Sequence, residues 1–162
     1  HYEISNYAKP GHQCRHNRTY WENRPFYGFG MGATSYTQGQ RVARPRTQQT
    51  YRQWVSHYCQ AGGVLKTPAL SPAEPLTDSL MVGLRLADGI DLTPFVEIFG
   101  TAFTTMLMRC LHPYLTSGQA VLGRHRLRLS DPDGFLISNT ILADLFNGLD
   151  TLTPKSDPLP LP

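Results

Sequence analysis

Apolar side chains recur every three or four residues through the second half of the chain. Four such stripes can be traced, over residues 76–87, 92–99, 103–114 and 135–146. This spacing gathers the apolar side chains on one face of an α-helix. The sequence therefore predicts four helices between residues 71 and 147.

Capping residues set the expected ends of these helices. The segment Ser71–Glu74 reads SPAE, which is the pattern of a capping box with proline in the first turn. Gly89 is the expected end of that first helix. Asp91 is expected to cap the second helix, and Ser130 with Asp133 the last one.

Alternation replaces the helical spacing between the third and fourth stripes. Leu127 and Leu129 alternate with Arg126 and Arg128, so one face of the segment is apolar and the other is charged. This pattern is typical of a half-buried strand, and we expect a hairpin over residues 120–129. Together with the four helices, the hairpin predicts a compact helical unit with a small wing.

The first 46 residues are rich in aromatic residues and glycine instead. Tyr2–Ala8 (YEISNYA) favours a strand, whereas residues 12–24 show no clear period. Glycine alternates with apolar residues over Tyr27–Tyr36, which indicates a buried strand or strand end that a neighbouring backbone or a ligand approaches closely. A turn at 38–40 and a return strand at 41–43 are expected next.

A single amphipathic helix is expected to bridge the two halves. It begins near Thr47 and ends at Gly62-Gly63. Four apolar positions in it follow the spacing i, i+3, i+4 and i+7: Tyr51, Trp54, Val55 and Tyr58.

Composition excludes two broad classes of protein. The chain has 162 residues, of which 40% are hydrophobic and 10% aromatic, so it is not disordered as a whole. No apolar run approaches the roughly 20 residues that a membrane-spanning helix needs. The chain opens on His1 rather than methionine, and we expect it to be a piece of a longer protein.

The distribution of charge and the number of cysteines bear on the possible partners of the chain and on its redox compartment. Residues 1–66 carry nine Lys/Arg and two Asp/Glu, whereas residues 67–162 carry six and ten. The basic first part either faces phosphates, carboxylates or nucleic acid, or is a solvated face with its acidic complement elsewhere. Three widely spaced cysteines do not form a disulfide framework or a zinc ribbon, which favours a reducing cytosol.

The strongest candidate chemistry lies in residues 12–21 (HQCRHNRTYW). His12, Cys14 and His16 have the spacing H-x-C-x-H, which matches no closed zinc site and lacks a fourth ligand. One imidazole beside aromatic rings and arginines can instead serve as an axial ligand to haem iron, with arginines pairing the propionates. Ordinary packing is the alternative interpretation of this segment.

Two further motifs are weaker. Residues 28–33 read GFGMGA, which is not a dinucleotide fingerprint because the spacing differs and no helix follows. Arg124, Arg126 and Arg128 would let the wing track phosphates, but the helix over 101–115 has only Arg109 as a fixed cation. A structural or interaction wing is therefore favoured. Without paired carboxylates, a nucleophile elbow or a P-loop, we do not expect catalysis by this chain alone.

Three segments of the chain resemble the C-terminal part of a known family. They are YEISNYAKPGHQCRHNRTYW (2–21), YGFGMGATSY (27–36) and the helix–wing unit ending LRLSDPDGFLISNTILADLF (127–146). The family is that of the radical-SAM haem chaperones (HemW type), within the oxygen-independent coproporphyrinogen III oxidase-like proteins. The resemblance extends to about Asn147.

The resemblance implies a mixed fold, α/β or α+β. Residues 1–46 would be the terminal strands of a radical-SAM partial TIM barrel, and 47–70 a bridging helix and connector. A winged-helix-like domain would span 71–148, followed by a disordered proline-rich tail at 149–162. In the family, an N-terminal C-x-x-x-C-x-x-C loop holds a [4Fe–4S] cluster that binds S-adenosylmethionine, and this sequence contains no such loop.

Site residues follow from the same resemblance. The family's haem motif H-N-x-x-Y-W is intact here, which makes His16 the haem-ligand candidate and gives Asn17, Tyr20 and Trp21 the role of shaping the site. In related enzymes, positions matching Ala8 and Thr34 lie against S-adenosylmethionine.

The implied function is that of a cytoplasmic haem chaperone that passes haem to acceptor proteins. Peripheral contact with a membrane is compatible with that role, and no specific nucleic acid is expected. Two alternatives stay open, namely an oxygen-independent coproporphyrinogen III oxidase and a non-catalytic winged helix that binds nucleic acid or protein. The intact H-N-x-x-Y-W motif speaks against the oxidase.

Overall fold

The computed structural model describes residues 1–37, 39–63 and 73–152 of the chain. The elements in these ranges are α1 (Arg15–Trp21), β1 (Thr34–Thr37), β2 (Gln40–Ala43), α2 (Gln48–Gln60), α3 (Ala73–Gly83), β3 (Ile90–Asp91), α4 (Thr93–Phe99), α5 (Thr101–Thr116), β4 (Ala120–Leu122), β5 (Arg126–Leu129), α6 (Asp133–Leu136) and α7 (Ser138–Leu149). The expected mixture of helices and strands is confirmed. The chain divides into two compact units, residues 1–23 with 72–162 and residues 24–71.

The first unit has a three-stranded antiparallel sheet in the order β3-β5-β4. The hairpin β4–β5 confirms the predicted alternation, since Leu127 and Leu129 are 0% and 1% exposed while Arg126 and Arg128 are exposed. Leu127 pairs with both Ile90 and Leu122, which places β5 at the centre of the sheet. The predicted buried and exposed faces of the hairpin are therefore confirmed.

Helices of the first unit pack their apolar faces against this sheet and each other. Phe95, Phe103, Leu111, Ile141 and Leu145 are all at most 1% exposed. They belong to one continuous cluster that includes residues of α3, α4, α5, α6 and α7. Burying each such side chain stabilises the fold by roughly 1.5–3 kcal/mol, so the predicted helical stripes form the core of this unit.

The end of α3 differs from the prediction. The helix stops at Gly83 rather than near Gly89, although Leu84 and Leu86 beyond it are buried. Tight backbone bonds, such as Leu86 N–H to Gly83 O at 3.0 Å, turn the chain there. Gly89 is needed for another reason: its φ is +68°, and a Cβ atom would lie 2.1 Å from the Leu127 carbonyl oxygen. The predicted cap at Ser71 lies outside the described residues.

Asp91 and Ser130 bond to the starts of the helices they were predicted to cap, although the residues at the N-cap positions are Leu92 and Pro132. Asp91 Oδ1 accepts hydrogen bonds from the Thr93 N–H at 2.9 Å and from the Thr93 hydroxyl at 2.7 Å. These bonds lower the pKa of Asp91 below its ordinary value. Ser130 Oγ accepts from the Gly134 N–H at 3.1 Å. The last predicted helix is divided in two, because Ile137 has φ −111° and separates α6 from α7.

The predicted strand over residues 2–8 is wrong. Residues 3–6 form a tight turn in which Glu3 pairs with Asn6, and Glu3 also bridges to Leu86. The Ile4 N–H donates to Arg85 O at 2.9 Å, so these first residues join the helical unit. The contacts thus separate residues 1–23 from 24–46, whereas the prediction grouped them. The predicted domain boundaries, including the disordered tail at 149–162, stay predictions.

The second unit is a hairpin followed by one helix. Strands β1 and β2 pair from Thr34–Ala43 to Thr37–Gln40, which confirms the return strand. The helix predicted from Thr47 to Gly62-Gly63 is confirmed as α2, whose cap Thr47 accepts a hydrogen bond from the Thr50 N–H at 3.3 Å.

The glycine-rich stretch of this unit was predicted to be a buried strand or strand end, and only its last residues form a strand. Only Thr34 onward is a strand, and the side chains of Tyr27, Phe29 and Met31 are 71%, 87% and 52% exposed. Gly28 does lie close to a neighbouring backbone, since a Cβ there would be 2.3 Å from Thr34 O.

Candidate functional site

The haem motif lies on a helix that the sequence analysis missed. Residues 15–21 form α1, within a segment that showed no clear period. Arg18 Nε donates to Glu22 at 2.6 Å, and the Thr19 hydroxyl donates to Arg15 O at 3.0 Å. The spacing i, i+4 between Arg18 and Glu22 is the signal that favours a helix here.

His16 and Tyr20 lie one turn apart on α1. The His16 side chain is exposed and Tyr20 is half-buried. Their rings meet edge to face, with centroids 4.9 Å apart and planes at 89°. Among the described residues, no hydrogen bond to the His16 ring is found. An exposed imidazole of this kind can offer a nitrogen lone pair to a metal.

Asn17 and Trp21 share a different face of the same helix. Asn17 Nδ2 donates to the Tyr2 hydroxyl at 3.3 Å, and Tyr2 is 5% exposed. The Arg85 guanidinium lies 5.5 Å from the Trp21 ring centroid. The indole Nε1 of Trp21 is buried and has no hydrogen-bond partner among the described residues. These two motif residues anchor α1 rather than flank His16.

Arg18 fastens α1 to the turn after α3. It bonds Glu22 and Gln13 on its own segment, and its Nη2 donates to Asp88 at 3.1 Å. Partial burial alone would lower the pKa of Arg18, but the bonds to Glu22 and Asp88 outweigh it and raise that pKa. Arg18 therefore stays a cation that holds the helix in place.

A small cleft adjoins the inner face of α1. Its volume is about 230 Å³, and Trp21, Asn23, Ser79, Phe95 and Arg126 are among the side chains that line it. Ligand pockets start at roughly 300 Å³. The cleft is therefore too small to enclose a macrocycle.

The other predicted site residues belong to different parts of the chain. Ala8 is exposed in the first unit, whereas Thr34 is half-buried at the start of β1 in the second. Cys14, Cys59 and Cys110 belong to three different segments. Over residues 1–37, 39–63 and 73–152 no group of three His, Cys, Asp or Glu side chains could hold a metal ion. These described residues do not fit an iron–sulfur cluster.

The arginines of the wing point to solvent but are partly engaged. Arg126 Nε donates to Asp88 O at 3.0 Å, and Arg126 lies opposite Asp91 in the sheet. Arg124 and Arg128 are exposed. In the part of the chain that is described, no helix is both long and apolar enough to cross a membrane.

Comparison with known proteins shows what this arrangement is similar to. A heme chaperone HemW of Synechocystis is 42% identical over 93% of this chain and 40% of its own length. The HemW of Lactococcus lactis is 28% identical over 87% of this chain and 36% of its length. The chain is a homologue of the HemW heme chaperones. It spans about two-fifths of the length of these curated relatives, and no family model matches it.

A solved structure supports the same relationship at the level of the fold. The coproporphyrinogen III oxidase (HemN) of Escherichia coli, a radical SAM enzyme, matches with a TM-score of 0.54 and 17% identity. The match covers 75% of this chain and 28% of that one. At this identity the likeness concerns the fold alone. The expected sequence similarity to HemW proteins and the expected similarity to the fold of the oxidase are therefore confirmed.

Proposed function

We propose that this chain binds haem, with His16 as the axial ligand to the iron. The observation that carries the proposal is the exposed, unbonded imidazole on α1, within the motif H-N-x-x-Y-W of a HemW homologue. Neutral imidazole is a common axial ligand of haem iron. Haem is the cargo here, and the chain's part is to present one nitrogen at an open surface.

The neighbours of His16 have separate roles in this proposal. Tyr20 holds the imidazole edge-on and limits its rotation, since its ring lies 4.9 Å away at 89°. Asn17 and Trp21 shape the site indirectly, by fixing the inner face of α1 to Tyr2 and beneath Arg85. A helix fixed in this way keeps the outer face, with His16, in one orientation.

The larger protein that HemW relatives represent would pass this haem to acceptor proteins. We place that activity in the cytoplasm, where transfer to acceptors at the membrane face would need only peripheral contact. In such a protein a [4Fe–4S] cluster and S-adenosylmethionine would be supplied by the part that this chain does not match, with Ala8 and Thr34 as S-adenosylmethionine contacts. The intact haem motif favours this role over coproporphyrinogen oxidation.

Haem titration tests the role of His16. We expect ferric haem to give a shifted Soret band when it binds this chain. In His16→Ala the apparent affinity obtained from that shift should fall at least tenfold. His12→Ala is the matched control, because His12 is also exposed but lies before α1. Equal loss in both variants, or none in His16→Ala, would assign haem binding elsewhere.

We also propose that residues 71–148 form a winged-helix-like domain whose wing is structural. The order α3-β3-α4-α5-β4-β5 and the sheet order β3-β5-β4 support this. Arg126 donates to the Asp88 carbonyl oxygen and lies opposite Asp91, so one of the three wing arginines already has partners within the protein. Duplex DNA should bind weakly, with affinity falling steeply as salt rises. Tight binding that persists at high salt would favour a nucleic-acid function instead.

A further inference from the structure

The two arginines of α1 differ in what they contact. Arg18 is half-buried and donates to Gln13, Glu22 and Asp88. Arg15 is exposed, and among the described residues no hydrogen bond or ion pair of its guanidinium is found. The helix dipole favours cations in the last turn, where Arg18 lies, and disfavours them in the first turn, where Arg15 lies. The fold therefore accounts for Arg18 but not for Arg15.

The carboxylates nearest to Arg15 along the chain are engaged elsewhere. The first 23 residues contain two of them, Glu3 and Glu22. Glu3 is 0% exposed, and Glu22 accepts a hydrogen bond from Arg18 at 2.6 Å. The segment that carries Arg15 thus supplies no acidic partner for its guanidinium.

Arg15 shares one face of α1 with His16. With 3.6 residues per turn, the positions of α1 divide into two faces. The inner face holds the three residues that contact other parts of the first unit, namely Asn17, Arg18 and Trp21. The outer face holds the other four, namely Arg15, His16, Thr19 and Tyr20. Arg15 and His16 are therefore neighbours on this outer face, separated by about 1.5 Å of helix rise.

The chemistry of haem complements a guanidinium in this position. An axial bond from an imidazole nitrogen is perpendicular to the porphyrin plane, so a haem held by His16 extends sideways over the neighbouring side chains. One edge of haem carries two propionate carboxylates, which are ionised at neutral pH. A guanidinium on a long, flexible stem can meet a carboxylate with two parallel N–H···O bonds.

We propose that Arg15 binds a haem propionate while His16 binds the iron. This inference rests on the proposed function and adds to it the residue that recognises the carboxylates of the ligand. Arg18 does not take this role, because its guanidinium is held by Glu22 and Asp88. The chain should consequently distinguish haem from a haem whose propionates are esterified.

The test compares two ligands that differ only at these carboxylates. They are ferric haem and ferric haem dimethyl ester, both delivered in the same non-ionic detergent. Arg15→Gln removes the charge of the guanidinium and keeps a polar side chain. Arg109→Gln is the matched control, because Arg109 is also exposed and also lies on a helix of the first unit. Circular dichroism should show that both variants fold as the wild type does.

The Soret shift gives the affinity for each ligand. For haem at low salt, we expect Arg15→Gln to lower the apparent affinity about threefold to fivefold, which is the size expected of an exposed charge pair. This loss should shrink as salt rises, because salt screens exposed charges. For the dimethyl ester, Arg15→Gln and wild type should bind equally. Arg109→Gln should match wild type with both ligands.

Three results would overturn the inference. Equal losses for haem and its ester in Arg15→Gln would show that Arg15 acts on the helix and not on a propionate. A similar loss in Arg109→Gln would show a general effect of net charge. Unchanged haem affinity in Arg15→Gln, with the loss in His16→Ala retained, would remove Arg15 and leave the proposed function standing. If His16→Ala also binds haem as tightly as wild type, the inference and the proposed function both fail.

Discussion

Two aromatic ladders with nearly the same geometry have opposite surroundings in this chain. In the first unit the Phe103 ring stacks on Phe95 at 5.1 Å and on Phe99 at 6.3 Å, and all three are at most 4% exposed. In the second unit Trp54 stacks on Tyr51 and Tyr58 at 6.1 and 5.1 Å, but no residue of α2 is buried. Helical spacing predicted the apolar helix faces to which these rings belong, but not the stacking between them. It identifies the apolar face of a helix and says nothing of what covers that face.

The largest expected effect separates the two ladders directly. Phe103→Ala should destabilise the chain by about 3–5 kcal/mol, because it empties a fully buried position. Trp54→Ala in the same chain should cost only about 1 kcal/mol, from lost stacking and the lost contact with Arg44. Denaturant titration followed by circular dichroism would measure both. Similar losses would mean that the second unit is packed as tightly as the first.

Two glycines with positive φ test the same difference in packing between the two units. Gly89 has φ +68° and would place a Cβ 2.1 Å from the Leu127 carbonyl, whereas Gly30 has φ +89° with nothing within 4 Å. Gly89→Ala should therefore cost about 3 kcal/mol, from backbone strain plus overpacking. Gly30→Ala should cost only the strain, about 1–2 kcal/mol. Thermal unfolding of the two variants distinguishes these values, and equal losses would contradict the crowding at Gly89.

The smallest effect concerns the two helix caps. Replacing either Asp91 or Thr47 by alanine should cost about 1 kcal/mol. Only the Asp91 contribution depends on pH. Its folded pKa is depressed, so the stabilisation is complete above the unfolded pKa near 4 and is lost as pH falls through the lower folded value. The difference in unfolding free energy between wild type and Asp91→Ala should therefore shrink as pH falls from 6 to 2. The difference between wild type and Thr47→Ala should stay constant.

Much of the first unit could be predicted from sequence, because local patterns of apolar and polar residues identify its elements. Periodicity located α4 and α5, and alternation located the hairpin with Leu127 and Leu129 inside. The end of α3 could not be predicted, since Leu84 and Leu86 keep the apolar spacing while the chain turns. The first residues were misjudged for a similar reason: the bridge from Glu3 to Leu86 depends on a partner far along the chain.

In the candidate site, too, some features could be predicted from the local sequence and others depend on contacts between distant residues. The residues of the motif were found from sequence, but not the helix that carries them, because seven residues are too few for a period to show. Nor did the motif reveal that His16 faces solvent while Trp21 packs beneath Arg85. That arrangement follows from Tyr2 and Arg85, which lie outside the motif and meet α1 only in the folded chain.

The central claim is that the His16 imidazole coordinates haem iron, and resonance Raman spectroscopy tests it most directly. The chain would be prepared with ¹⁵N-labelled histidine and loaded with ferrous haem. The account predicts an iron–nitrogen stretching band that moves to lower frequency on labelling, persists in His12→Ala and disappears in His16→Ala. An isotope-sensitive band that survives in His16→Ala would contradict it.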